Sequence, residues 1–348
     1  MSLDVPIIDI SAYTLGGSIG ARDEVARQID KACTEVGFMQ IVGHGIPESV
    51  TEGLGAAMDE FFSLPLRAKK AYKLPPELNR GYTPPKSESL SLSLGVESAT
   101  RMNDFFEAFN VGATARDYLQ FNVDEDYYAE NVWPLESDSF EPQVRAYFRD
   151  ASRVAHTMVR IFTDALGLPV GYFDTFTSHS IDVLRMNNYA LPEGTDVAID
   201  GDLTGMGEHT DFGIVTVLWA DQVKGLQVLA SDGSWNDVTP VDGALLINLG
   251  DLTARWTNER WMSTLHRVKP PLVDGTIQRR RSAAFFHDGN SDATIETLPS
   301  CVDETHPNLY VPVTVAEHIT AKLNGSRAGV ANTDATREAA RVLQSSQK

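Results

Sequence analysis

The sequence predicts an α+β protein with a mainly β core, a sandwich or barrel such as a jelly roll, flanked by helices. Three observations carry that expectation. Apolar residues recur at helical spacing in the first half of the chain, most clearly over residues 142–166. After Ser180 the period becomes strand-like, with short apolar runs at 183–189, 211–219, 225–229, 244–249, 264–268 and 280–286. Turn pairs such as Asp232-Gly233, Asp242-Gly243 and Asp274-Gly275 punctuate that half, as many short strands require.

In order along the chain, residues 5–10 read as an opening strand. Val25, Ile29, Ala32 and Val36 mark an amphipathic helix over 21–36 that stops at Gly37. Residues 38–42 form a strand pattern, and Val50, Leu54, Met58 and Phe61 mark a second helix ending near Pro65. The stretch 75–100 holds four prolines and many serines with little periodicity, so it reads as a long surface loop. Residues 104–111 return to strand composition. In the long helix, Val144, Phe148, Ala151, Ala155, Met158, Phe162 and Ala165 form one stripe, Pro142 sits in the first turn, and Gly167 suits the C-terminal cap. The tail from Asn332 reads as either a helix or a disordered segment, and no internal repeat occurs.

The chain has 348 residues, enough for a sizeable core, with 42% hydrophobic and 22% charged residues. A formal charge of −19 argues against nucleic acid or an anionic membrane as partner. Cys33 and Cys301 form neither a disulfide framework nor a metal cluster. The start, MSLDVPIIDI, lacks the basic and apolar regions of a signal peptide, and no apolar run approaches the ~18 residues of a membrane span. A cytoplasmic protein, a monomer or weak homo-oligomer, is expected.

His209 and Asp211 lie two positions apart at the head of an apolar run, so on a strand both point to one face. Of the other histidines, His156 and His318 fall in helix patterns, His179 and His306 in polar loops, and His44 in a glycine-rich turn. Those read as structural. His266 sits in a strand pattern 55 residues after Asp211 and completes the two-histidine, one-carboxylate set that binds one face of Fe(II). His-x-Asp alone is a weak signal. Arg280 and Ser282 share a strand face further on, where a guanidinium and a hydroxyl can grip a carboxylate. Arg279 and Arg281 read as solvated. Glu208, on the opposite parity from His209 and Asp211, should point away, whereas Val215 and Val217 should face the barrel interior.

Taken together, His209-Thr210-Asp211, His266 and Arg280-x-Ser282 resemble the motifs of the isopenicillin N synthase-like Fe(II)/2-oxoglutarate oxygenases. Further landmarks are Pro6-Ile7-Ile8-Asp9, His44-Gly45-Ile46-Pro47, Asn131-x-Trp133-Pro134, Leu184-Arg185-x-Asn187-x-Tyr189, Gly225-Leu226-Gln227-Val228 and Asn248-Leu249-Gly250-Asp251. The resemblance covers roughly residues 4–325. It implies a double-stranded β-helix, a distorted jelly roll, with Fe(II) on His209, Asp211 and His266. It also implies 2-oxoglutarate bound through Arg280 and Ser282, with Asn187 and Tyr189 assisting. The implied chemistry consumes O₂, converts 2-oxoglutarate to succinate and CO₂, and hydroxylates, desaturates or cyclises a small molecule, in the manner of specialised metabolism.

On this reading residues 1–120 form the N-terminal region, 121–180 a linker and the scaffold helix, 181–290 the iron-binding core, and 291–348 a C-terminal extension able to act as a lid. All belong to one compact unit. Leu184, Val217, Phe285, His287 and Phe105 are expected in the substrate pocket, with 87–101 and the tail beyond Gly325 as further contributors. The alternatives are an Fe(II) oxidase of the same fold that needs no 2-oxoglutarate, and a non-catalytic jelly-roll binding protein. Succinate release separates the first from the leading reading, and a lost ligand would mark the second. Motifs do not encode the substrate.

Overall fold

The computed structural model describes residues 5–328, apart from 86, 89, 95–105, 191–204, 270–271 and 274–275. The expectations for Phe105, the Asp274-Gly275 turn and the tail from Asn332 lie outside the described residues.

The chain opens with β1 (Ile7–Asp9), α1 (Ser11–Thr14) and α2 (Ile19–Glu35). Ser18 caps α2 by accepting from the Ala21 amide, and Val25, Ile29, Ala32 and Cys33 form its buried stripe. Gly37 turns the chain at φ +73°, where an added Cβ would stand 2.3 Å from the Met262 carbonyl, so only glycine fits. β2 (Phe38–Val42) follows, then α3 (Glu48–Phe62) and α4 (Leu66–Lys70). The stretch expected to be one loop carries short structure: 3₁₀ turns at Pro76–Leu78 and Leu90–Leu94, and β3 (Gly81–Thr83). β4 (Glu107–Gly112) leads through a loop to α5 (Phe140–Ala165), which buries Val144, Tyr147, Ala151, Val154, Met158 and Phe162. Gly167, at φ +64°, ends α5 through Leu168 N–H bonding the Thr163 carbonyl.

After α6 (Asp174–Thr177) come β5 (Val183–Tyr189), β6 (Met206–His209), β7 (Val215–Ala220), β8 (Leu226–Leu229), β9 (Trp235–Asp237) and β10 (Leu245–Leu249). The last part holds α7 (Asp251–Trp256), β11 (His266–Val268), β12 (Leu272–Val273), β13 (Thr276–Ile277), β14 (Arg280–His287), β15 (Thr294–Ile295), β16 (Val313–Thr314) and α8 (Val315–Ala328). The run expected as one strand over 211–219 is therefore strand only from Val215, as part of β7.

Eight strands form the larger sheet in the order β1-β2-β10-β7-β14-β5-β4-β3, and four form the smaller in the order β6-β11-β8-β9. Only β1 and β2 pair in parallel within the two sheets; all their other pairings are antiparallel. This is the jelly-roll arrangement. The larger sheet has two apolar faces. One carries Leu184, Met186, Val217, Ile247, Ala283 and Phe285 into a core shared with α2, α3 and α5. The other, with Phe38, Ala108, Tyr189 and Leu246, meets Met206, Leu226, Val228 and Val268 of the smaller sheet. The functional cavity opens on this second face.

Candidate active site

β6 and β11 are antiparallel neighbours with His209 directly opposite His266, their ring centroids 4.1 Å apart. Each imidazole turns its Nδ1 to a backbone carbonyl, His209 to Gly207 at 2.8 Å and His266 to Thr264 at 3.1 Å. With Nδ1 as the donor, each Nε2 keeps its lone pair toward the cavity. Asp211 Oδ1 lies 3.8 Å from His209 Nε2 and 3.6 Å from His266 Nε2. Its other oxygen, Oδ2, accepts from Asn248 Nδ2 at 2.6 Å and from the Thr216 hydroxyl. One carboxylate oxygen is thus held in place and the other left free. The three ligand-type atoms lie within 4.8 Å of one another, and all three residues are buried. Burial, with His266 alongside, pushes His209 down to about 3, so it stays a neutral donor.

The turn that presents Asp211 is clamped by backbone. Asp251 N–H bonds the Asp211 carbonyl at 2.9 Å, Leu252 N–H bonds Gly213 at 3.1 Å, and Gly250 N–H bonds Ile214 at 3.1 Å. A Cβ on Gly250 would sit 2.1 Å from the Gly213 carbonyl, which explains the glycine in Asn248-Leu249-Gly250-Asp251. Asp251 is anchored by the Ser263 hydroxyl at 2.7 Å and ion-paired with Lys322 of α8 at 2.7 Å. Burial opposes its charge, but Lys322 and His318 outweigh that and hold its carboxyl below the ordinary range.

Arg280 begins β14 opposite Tyr189, and Ser282 faces Asn187 across the same ladder. Arg280 is 2% exposed, stacks over the Tyr189 ring at 5.3 Å, and leaves Nε and Nη1 without a hydrogen-bond partner. A buried, unpaired guanidinium is costly, and a bound carboxylate is the group that would complete it. Arg281, by contrast, points to the helical side, bonding Asp59 at 2.7 Å and the Gly55 carbonyl at 3.1 Å.

His209, Asp211, His266, Arg280, Ser282, Asn187 and Tyr189 all line one cavity of about 970 Å³ including its mouth. The remaining pocket expectations need correction. Leu184, Val217 and Phe285 face the opposite side of the larger sheet, in the core against the helices. His287 is fully buried there as well, with Nδ1 on Asp182 at 2.9 Å. The cavity residues are their neighbours: Val183 and Arg185 on β5, Thr216 and Leu218 on β7, Ala284 and Phe286 on β14.

The physical reason differs between strands. On β14 the alternation that sends Arg280 and Ser282 inward also sends Ala284 and Phe286 inward, so Phe285 had to face out. On β7 the clamped turn at 210–214 breaks the strand and shifts its phase. Glu208 does point away, pairing with Arg267 at 3.3 Å. His44 is structural as expected, bonded to the Gly243 carbonyl. His179 and His306, placed in polar loops by the sequence, pair with Asp292 and Asp303.

Sequence reading also missed a polar wall. Glu88 is buried and takes Arg185 at 2.7 Å and Arg327 of α8 at 3.0 Å. Burial raises its carboxyl, yet the two guanidiniums win and hold it below the usual range. Asn79, Asn110, Ile319, Leu323 and Asp288 line the same cavity. Burial, with Asp182 and Asp211 near, pushes the Asp288 carboxyl well above the ordinary range. Among the described residues no helix is long and apolar enough to cross a membrane.

A jelly roll with two imidazoles and one carboxylate converging beside a buried, unpartnered arginine fits the class of mononuclear non-haem iron oxygenases. Residues 5–136 match the family described as non-haem dioxygenase in morphine synthesis, N-terminal, and residues 181–289 match the 2OG-Fe(II) oxygenase superfamily. The 2-oxoglutarate-Fe(II) type oxidoreductase hxnY of Emericella nidulans is 32% identical over 90% of this chain and 88% of its own. Validamycin A dioxygenase of Streptomyces hygroscopicus is 31% identical over 87% and 81%. Among solved structures, a full-length Neurospora crassa protein in complex with alpha-KG and thymine superposes at a TM-score of 0.79, with 28% identity over 92% of this chain and 97% of that one. A putative 2OG-Fe(II) oxygenase from Caulobacter crescentus gives 0.76 and 26%, covering 93% and 99%. The chain belongs to the 2OG-Fe(II) oxygenase superfamily and is an Fe(II)- and 2-oxoglutarate-dependent dioxygenase that uses O₂.

Proposed function

We propose that His209, Asp211 and His266 hold the Fe(II), and that Arg280 with Ser282 takes the distal carboxylate of 2-oxoglutarate. The observation that carries this assignment is the pair of unpartnered Arg280 nitrogens buried beside three converging ligand atoms. Held by His209, Asp211 and His266, Fe(II) would supply the O₂ chemistry that couples conversion of 2-oxoglutarate to succinate and CO₂ with removal of a substrate hydrogen. The protein's own part is geometry. Thr216 and Asn248 fix Asp211, backbone carbonyls fix both imidazoles, and Asn187 and Tyr189 wall the 2-oxoglutarate end. The apolar residues Leu218, Phe286, Ile319 and Leu323 exclude water from the reacting centre.

The substrate is a small molecule of specialised metabolism, a reading supported by relatives named validamycin A dioxygenase and clavatol oxidase. Residues 1–120 and 121–180 brace the core at 181–290, and 291–348 include the α8 lid. A cytoplasmic monomer or weak homo-oligomer agrees with the acidic composition. The test is anaerobic Fe(II) titration and succinate assay of wild type and Asp211→Ala. Wild type should bind one iron and release succinate on adding O₂ and 2-oxoglutarate, and the variant should do neither while keeping its circular dichroism. Stoichiometric iron in the variant would refute the ligand set.

A further inference from the structure

The polar end of the cavity, away from Arg280, is built so that one hydrogen-bond acceptor is left over. Asn79 occupies the left-handed region at φ +53°, just after the 3₁₀ turn Pro76–Leu78. Its Oδ1 accepts from Arg327 Nη2 at 2.6 Å and from Asn110 Nδ2 at 2.8 Å. A guanidinium only donates, so it fixes which end of the Asn79 amide faces it. That in turn forces Asn110 to offer Asn79 its NH₂. The remaining atom, Asn110 Oδ1, is buried without a partner on a residue that is 2% exposed and lines the cavity. Asn110 sits opposite Arg185 in the β4–β5 ladder, so both share the cavity face. A buried carbonyl oxygen left unpaired costs about 1–3 kcal/mol, which a ligand N–H or O–H would recover.

The surrounding charges narrow the ligand further. Arg185 donates through Nε to Asn187 and through Nη1 and Nη2 to Glu88. Arg327 donates to Glu88, to the Pro76 carbonyl and to Asn79. Each guanidinium nitrogen thus has a protein acceptor, although each Nη carries a second N–H beyond these bonds. Two guanidiniums against one Glu88 carboxylate leave the wall net positive, which repels an ammonium. A donor that carries no ammonium charge is what remains.

Resting on the oxygenase reading above, we propose that the substrate is a small molecule without an ammonium group whose N–H or O–H group donates to Asn110 Oδ1. Asn110 is then the specificity-determining residue, and Asn79 and Arg327 are positioning residues that aim its amide. The apolar body of the substrate lies against Val183, Phe212, Phe286, Ile319 and Leu323.

The test uses full-length protein loaded anaerobically with Fe(II) and 2-oxoglutarate, with binding read by calorimetry. The probes are phthalimide against N-methylphthalimide, and benzamide against N,N-dimethylbenzamide, benzoate and benzylamine. At least one N–H probe should bind about tenfold or more tighter than its methylated and charged counterparts, the value of one buried hydrogen bond. Asn110→Leu should bring the N–H and N-methyl affinities together. Asn79→Gly keeps the positive φ but frees the Asn110 amide to turn, and should shrink the preference in the same direction. Equal affinity for N–H and N-methyl probes, tighter binding of benzoate, or no binding by any probe overturns the proposal. Wild-type protein that fails to bind iron or 2-oxoglutarate in the same titrations would instead sink the oxygenase assignment, so the two failures are distinguishable.

Discussion

At the scale of single residues, the candidate metal ligands and the candidate arginine anchor were legible because their chemistry is restrictive. Few side-chain sets bind Fe(II) on one face, and an arginine inside a strand of an acidic protein needs an anion. Thr216, Asn248 and Asn110 were not legible as site residues, because neutral polar side chains carry no signature until their partners are known. Arg280 and Arg281 make the sharpest contrast. Arg280→Ala should raise the apparent KM for 2-oxoglutarate by about 10–100-fold, the worth of charge-assisted hydrogen bonds. Arg281→Ala removes contacts to Asp59, Asp221 and Gly55 on the helical side and should leave that KM nearly unchanged. Succinate release against 2-oxoglutarate concentration measures both, and matching increases would mean that the strand register is wrong.

At the scale of elements, periodicity located the helices and most strands to within a few residues but failed at one phase. Counting by twos from His209 holds only while the strand is continuous, and the backbone bonds from α7 interrupt it at 210–214. No residue type in Asp211-Phe212-Gly213-Ile214 states that interruption except the glycine. Phe285 and Phe286 test the corrected faces. Phe285 is fully buried against Phe148 of α5, so Phe285→Ala should cost roughly 3–5 kcal/mol in urea unfolding with little change in 2-oxoglutarate KM. Phe286→Ala, half-buried at the cavity, should cost less stability and instead lower the ratio of substrate oxidised to 2-oxoglutarate consumed. Exchanged outcomes would return Phe285 to the pocket.

At the scale of the whole molecule, the fold class followed from strand count and turn spacing. A C-terminal extension able to act as a lid was expected, but the particular contacts of α8 were not, because they join residues far apart in the chain. Lys322 reaches Asp251, and Asp251 holds the turn carrying Asp211, so the end of the described chain is tied to the candidate metal site. His318 on the same helix gives this tie a pH dependence. Burial pushes His318 from 6.5 to about 3, so below 6.5 the unfolded chain binds a proton that the folded chain refuses. Stability should therefore fall as pH drops from 6.5 toward 3. Thermal melts of metal-free protein should show a shallower fall in His318→Gln, the residual slope coming in part from His209. An unchanged slope in that variant would remove His318 as a source.

The cluster of Glu88, Arg185 and Arg327 has a consequence for how this pocket can change. Replacing Glu88 alone would strand two buried guanidiniums, whereas replacing either arginine alone leaves one partner in place. The three substitutions are therefore strongly non-additive. A laboratory search that varies one segment at a time, whether 79–110, 183–189 or 315–328, would discard as damaging many substitutions that are harmless in combination. New specificities on this scaffold are best sought by randomising the three segments together.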